Sequence, residues 1–199
     1  MKSKPLSIGA AILLLALPLS QATASVIFYE GFESPVIFDF NSSVFSPGWS
    51  LNEPNSQQLG LRNGLFPYDG IQVAQINANN SPAGASFSRF IPTSIDQTYT
   101  VSLRYLSYAS TSAAVKVDFG AASFSSPVTP LVNTWYELTF NYTATAPETM
   151  LTISDVTTNT VSSDLFVDAV SITSIPEPSA AVWVSLAAFS FLLLRRRRR

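Results

Sequence analysis

The sequence contains no cysteine and no histidine. Without cysteine there is no disulfide framework and no thiol nucleophile. Without histidine there is no Ser-His-Asp triad, and the usual His/Cys zinc sites are excluded. Cations are also scarce once their positions are considered. Of the eleven lysines and arginines, seven sit at the two ends, at Lys2, Lys4 and Arg195 to Arg199. Between Ser25 and Ser174 the only bases are Arg62, Arg89, Arg104 and Lys116; set against twelve acids, they leave this body with a formal charge of −8. A surface of that sign repels phosphate backbones, so nucleic acid is not an expected partner. The body also lacks any stretch with a sustained helical period.

The two ends read differently. Lys2 and Lys4 precede an apolar stretch from Leu6 to Leu19, which leads into Ala22-Thr23-Ala24, a small-x-small pattern. This is the layout of a secretory signal peptide over residues 1–24, with signal peptidase expected to cut before Ser25; a retained membrane helix is the alternative. At the other end an apolar run from Ala180 to Leu194 is followed by Arg195, Arg196, Arg197, Arg198 and Arg199. Fifteen residues of helix span roughly 22 Å, short of the ~30 Å hydrocarbon core, although a snorkelling Arg195 extends the reach. The arginines hold that end in the cytoplasm. Before processing, the body is expected as a loop outside the inner membrane, tethered at both ends.

The order Pro176-Glu177-Pro178, short apolar helix and terminal arginine cluster resembles the PEP-CTERM sorting signal of Gram-negative bacteria, over residues 175–199. The resemblance implies an exosortase-type processing protease as a partner, a transient membrane anchor (a transmembrane helix at about 180–194), and a final location at the cell surface or in extracellular polysaccharide. An ordinary tail anchor is the other reading.

Residues 25–174 alternate apolar and polar side chains in short runs, the pattern of half-buried strands. In TYTVSLRYLSY, Tyr99, Val101, Leu103 and Tyr105 share one face and Thr100, Ser102 and Arg104 the other. AAVKVDF, WYELTFNYT, LFVDAVSIT, VIFYE, VIFDF, QVAQIN and ASFSRFI read the same way, with Leu151 and Ile153 in a further run. Turn formers such as Ser46-Pro47-Gly48, Asp69-Gly70 and Ser125-Ser126-Pro127 separate them. About ten strands at this spacing predict an all-β fold, a jelly-roll β-sandwich, flanked by the signal peptide and the C-terminal helix.

Two places invite chemistry. In LFVDAVSIT, Asp168 has the parity of Phe166, Val170 and Ile172; if that face is the core, a carboxylate points inward. A buried carboxylate must be hydrogen-bonded, paired or bound to a cation. Glu33, beside Gly31 at the start of the body, would lie close to it if the first and last strands pair. Two such oxygens suit Ca²⁺; a surface Glu and an Asp bonded to backbone amides is the alternative. Aromatic rings near polar groups are the other signal, with Trp49, Tyr68, Tyr108 and Trp135 as candidates. Trp49 reads as a core plug. Trp135 has the polar parity of Glu137, Thr139 and Asn141, which allows either exposure or a bulged strand start packed in the core. Tyr68-Asp69-Gly70 falls in a loop.

Gly31-Phe32-Glu33, Gly48-Trp49, Trp135 before an alternating strand and the closing VDAVSI resemble galactose-binding-like jelly-roll modules, many of them carbohydrate-binding modules, over most of residues 28–173. The resemblance implies a structural calcium held by Gly31, Glu33 and Asp168, with only one acid where such closing strands often carry two. It also implies a sugar site on aromatic rings, for which Tyr68, Asp69 and Trp135 are the residues to consider. The expected function is therefore a non-catalytic exported protein that binds, or resides in, extracellular polysaccharide. A purely structural matrix protein is the main rival. A polysaccharide hydrolase comes third, because a glycosidase needs two carboxylates flanking a groove.

Overall fold

Alternation at period two governs the structure, a computed structural model that describes residues 23–41, 43–53, 58–77, 84–108, 113–127, 131–157 and 164–176. Residues 1–22 of the expected signal peptide (1–24) and residues 177–199 of the expected sorting segment (175–199), with Glu177, Pro178, the expected helix and the five arginines, lie outside the described residues. Thr23–Pro176 is a unit of its own.

The described strands are β1 (Ser25–Glu30), β2 (Phe40–Asn41), β3 (Ser50–Asn52), β4 (Gln58–Asn63), β5 (Gln72–Asn77), β6 (Ser86–Pro92), β7 (Thr98–Tyr108), β8 (Val115–Phe119), β9 (Ala122–Ser125), β10 (Tyr136–Thr143), β11 (Glu148–Asp155) and β12 (Asp164–Ser174). One sheet has seven strands in the order β10-β7-β12-β5-β4-β2, with β1 added alongside β12; the other has five, ordered β3-β6-β11-β8-β9. Every pairing is antiparallel. The inward residues of both sheets meet in one core, which includes Leu59, Ile76, Phe87, Val101, Leu103, Val117, Phe119, Ile153, Leu165 and Ile172. Each such side chain stabilises the fold by about 1.5–3 kcal/mol through removal from water. This is the expected two-sheet sandwich.

β12 organises the larger sheet. One edge pairs with β7 along its length; the other pairs with β5 from Asp164 to Val167 and with β1 from Val170 to Ser174. The changeover is a bulge at Asp168–Ala169, where the register shifts and Ala169 takes φ 48°. An extra residue in a strand reverses the parity that follows. Leu165 and Val167 face the core before the bulge, Val170 and Ile172 after it. The expectation that Phe166 and Asp168 share the core face with Val170 and Ile172 is therefore corrected: both lie on the outer face of the sheet.

One other expectation changes, and two strands were not among those read from the sequence. VIFDF is mostly loop: only Phe40 enters a strand, and Phe38 is 93% exposed. Gln58–Asn63 is a full strand, and Ala122–Ser125 closes a tight hairpin with β8. That hairpin needs glycine at 120, which has φ 59° and leaves no room for a Cβ against the Tyr142 hydroxyl, 2.3 Å from where it would stand.

Candidate ligand-binding face

Outward parity places Arg104, Leu106 and Tyr108 of β7, Phe166 and Asp168 of β12, and Val73 and Gln75 of β5 on one face of the seven-stranded sheet. Trp135 precedes β10 with the parity of Glu137, so it joins this face and not the main core, which corrects the core alternative. Beneath it Val73, Leu106 and Phe166 form a small second apolar cluster, completed by Leu65, Tyr108 and Trp135. Tyr108 stacks on Phe166 at 5.5 Å and 8°.

The β4–β5 loop folds over this cluster and is fixed from several sides. Gly64 N–H donates to the Ile71 carbonyl at 3.2 Å, closing the loop on itself. Trp135 Nε1–H donates to the Phe66 carbonyl at 3.0 Å. Asp168 Oδ2 accepts the N–H groups of Tyr68 and Asp69, each at 2.9 Å, while its Oδ1 accepts Ala169 N–H at 2.7 Å. Glu33 Oε1 accepts the N–H groups of Ile71 and Gln72, each at 3.0 Å. The Tyr29 hydroxyl donates to Asp69 Oδ2. Gly70, at φ 65°, is required because a Cβ there would stand 2.3 Å from the Glu33 carboxyl carbon.

The loop thus presents Tyr68, half exposed, above Arg104. The guanidinium lies 4.7 Å from the Tyr68 ring centroid, and its Nη2 is 3.0 Å from Glu137 Oε2. Tyr68 meets Trp135 edge to face at 5.8 Å and 70°. Phe66, also half exposed, contacts Tyr108 at 6.3 Å. The result is an aromatic surface bordered by a cation and a carboxylate. Rings supply an apolar plane for the C–H face of a sugar, and fixed polar groups orient its hydroxyls.

Of the residues singled out from sequence, Tyr68 and Trp135 come together here. Asp69 lies beside them with its carboxylate turned to Tyr29. Glu33 and Asp168 meet the same loop, but as acceptors of amide hydrogens, the alternative considered for Asp168. Gly31 is buried, with the Tyr29 ring and the Asp69 carboxylate nearest to it. As placed, three of the four carboxylate oxygens of this set already accept amide hydrogens. The Asp168 oxygens and Oε1 of Glu33 face N–H dipoles, and among the described residues no three His, Cys, Asp or Glu side chains gather to hold a metal. Burial pushes the Asp168 carboxyl up to about 6; its three amide bonds pull the other way, and Asp69 adds to the rise. Burial, then Asp69, likewise raises the Tyr29 hydroxyl and keeps it a donor.

Trp49 packs against the core rings of Phe28, Phe32 and Phe87, as expected, and donates to Glu30 Oε2 at 3.2 Å. Sequence reading missed Arg104 and Glu137 as part of the site. Their signal was available: both have polar parity in strands that turned out to be neighbours, paired residue to residue.

No protein-family model and no curated protein matches the chain. Solved structures do. The CBM22-1 xylan-binding domain of Paenibacillus barcinonensis Xyn10C matches 78% of this chain and 97% of its own, at 12% identity and TM-score 0.55. TmCBM61 in complex with β-1,4-galactotriose matches 65% of this chain and 90% of its own, at 10% identity and TM-score 0.51. The arabinose-bound MgGH51 α-L-arabinofuranosidase matches 64% of this chain but 23% of its own, at 14% identity and TM-score 0.50. What the chain shares with carbohydrate-binding modules is the fold, a jelly-roll β-sandwich.

Proposed function

We propose that the chain is an exported, non-catalytic protein that binds polysaccharide on the outer face of its seven-stranded sheet, over Tyr68 and Trp135. The observation that carries this reading is the pair of rings in edge-to-face contact beside the Arg104–Glu137 ion pair, on a fold shared with carbohydrate-binding modules. Two carboxylates of this face, nearest the rings, favour binding over hydrolysis. Glu137 is ion-paired with Arg104 and Asp168 is engaged by backbone amides, whereas a glycosidase needs an acid and a second carboxylate free to act on the substrate. Signal peptidase and an exosortase-type protease are the proposed processing partners, acting on the two ends. Extracellular polysaccharide is the proposed destination. Xylan and β-1,4-galactan are the glycans to try first, since one fold neighbour is a xylan-binding domain and another holds β-1,4-galactotriose.

One observation favours a purely structural role: the Trp135 indole N–H is already used on the Phe66 carbonyl, so the rings also pin the loop. Affinity electrophoresis through a glycan panel, with melting followed in parallel, separates the readings. Tyr68→Ala should weaken binding roughly tenfold, equivalent to ~1.4 kcal/mol, with little change in melting because its ring is half exposed. Trp135→Ala should lose binding and some stability. A wild-type protein retarded by no glycan would sink the binding reading.

A further inference from the structure

Beyond the rings, the same face carries a polar patch. Phe166 on β12 lies opposite Gln75 on β5, and Gln75 lies opposite Gly60 on β4. Tyr108 lies opposite Asp164. Arg62 projects from the same face of β4 as Gly60, and its charge acts on Asp164 two strands away, opposing the rise that burial imposes on that carboxyl. The Gln75 and Asp164 side chains are hydrogen-bonded to each other, yet three polar atoms of this patch remain buried with no hydrogen-bond partner: Gln75 Oε1, Asp164 Oδ1 and Arg62 Nε. Gln75 is 1% exposed. Buried groups left unpaired are costly, and three adjoining ones call for an explanation.

We propose that Arg62, Gln75 and Asp164 form a hydrogen-bonding subsite for adjacent hydroxyls of an uncharged glycan, continuing the aromatic platform. This rests on the glycan-binding reading and names the ligand class. The unpaired set is two acceptors and one donor. A vicinal diol matches it: its two O–H groups donate to Gln75 and Asp164, and a hydroxyl lone pair accepts from Arg62 Nε–H. A carboxylate, sulfate or phosphate brings only acceptors and would face the Gln75 carbonyl and the Asp164 carboxylate. The wider face has the same bias, with Arg62 and Arg104 outnumbered by Asp69, Glu137, Asp164 and Asp168. Access follows from exposure. Arg62 and Asp164 are only half buried, and Arg62 is tied outward at 3.4 Å to Asp39, which is 82% exposed. Such a surface pair is weak, so a ligand can displace Asp39 from the Arg62 guanidinium while Nε stays on this face.

The test uses the full-length chain in detergent. Binding to soluble xylan, β-1,4-galactan and mannan is compared with binding to polygalacturonate and alginate, for wild type, Gln75→Leu, Asp164→Asn and Trp135→Ala. The proposal expects wild type to bind a neutral polymer at least roughly tenfold tighter than either charged one. Gln75→Leu should weaken that binding roughly tenfold and lower the melting temperature modestly, because the Gln75 hydrogen bond to Asp164 is lost as well. Asp164→Asn, which keeps the shape, should weaken it too. Equal or tighter binding of a charged polymer overturns the inference. So does neutral binding that Trp135→Ala abolishes but Gln75→Leu and Asp164→Asn leave intact; in that case the aromatic site stands without the subsite. Absence of binding to every polymer overturns the broader reading and the inference with it.

Discussion

Asp168 offers a perturbation whose sign is opposite to the common behaviour of carboxylates. Its ordinary value is 3.8 and its folded value about 6, raised by burial. Below about pH 4 the group is protonated in both folded and unfolded chains and contributes no bias. Between about 4 and 6 the unfolded chain ionises while the folded one holds its proton, so each step up in pH favours unfolding. Above about 6 both are ionised and the loss is complete. The gap is about two pH units, each worth about 1.36 kcal/mol, giving a loss of about 3 kcal/mol across the window. For a chain of this size that corresponds to roughly 6–12 °C in melting temperature. Melting followed by circular dichroism from pH 4 to 7, at fixed ionic strength with EDTA, measures it. Asp168→Asn cannot ionise, so its melting curve against pH should be flatter than wild type by that amount. The comparison is of slopes, because the asparagine amide would also face Ala169 N–H and lower stability at every pH. Asp155 and Asp164 are raised by burial too, but they remain in both proteins and contribute equally. Parallel curves for wild type and variant would refute the assignment of the pH dependence to Asp168.

Gly70→Ala should cost about 2 kcal/mol, from the strained φ and the collision with Glu33, and should weaken glycan binding because the same loop carries Tyr68; chemical denaturation and affinity electrophoresis read the two effects. Phe87→Ala removes a ring in contact with Phe32, Phe45 and Trp49 and should cost about 3–5 kcal/mol in denaturant unfolding, whereas Phe90→Ala, at a site 60% exposed, should stay within about 0.5 kcal/mol. EDTA should leave the melting temperature unchanged, since the Glu33 and Asp168 oxygens described above already accept amide hydrogens; a drop of several degrees, reversed by Ca²⁺, would show that those oxygens turn to a cation instead.

The fold was legible because two-residue alternation is a local signal, and core faces such as Tyr99-Val101-Leu103-Tyr105 can be read without knowing their neighbours. Asp168 shows where local reading stops. Its burial followed correctly from its place among apolar residues, but its face did not. A single inserted residue at Ala169 reverses the parity of everything beyond it, and the sequence carries no glycine or proline there to announce the bulge. The candidate ligand face was hidden for a related reason. Arg104 and Glu137 are ordinary polar-parity residues in their own strands, and Tyr68 is one aromatic in a loop. They become a site only because β10 pairs with β7 in a register that sets Glu137 opposite Arg104, and because Asp168 and Glu33 hold the loop above them. The two carboxylates that sequence reading weighed as metal ligands act together on this loop. Each replaces solvent at a pair of loop amides, and between them they decide where Tyr68 stands.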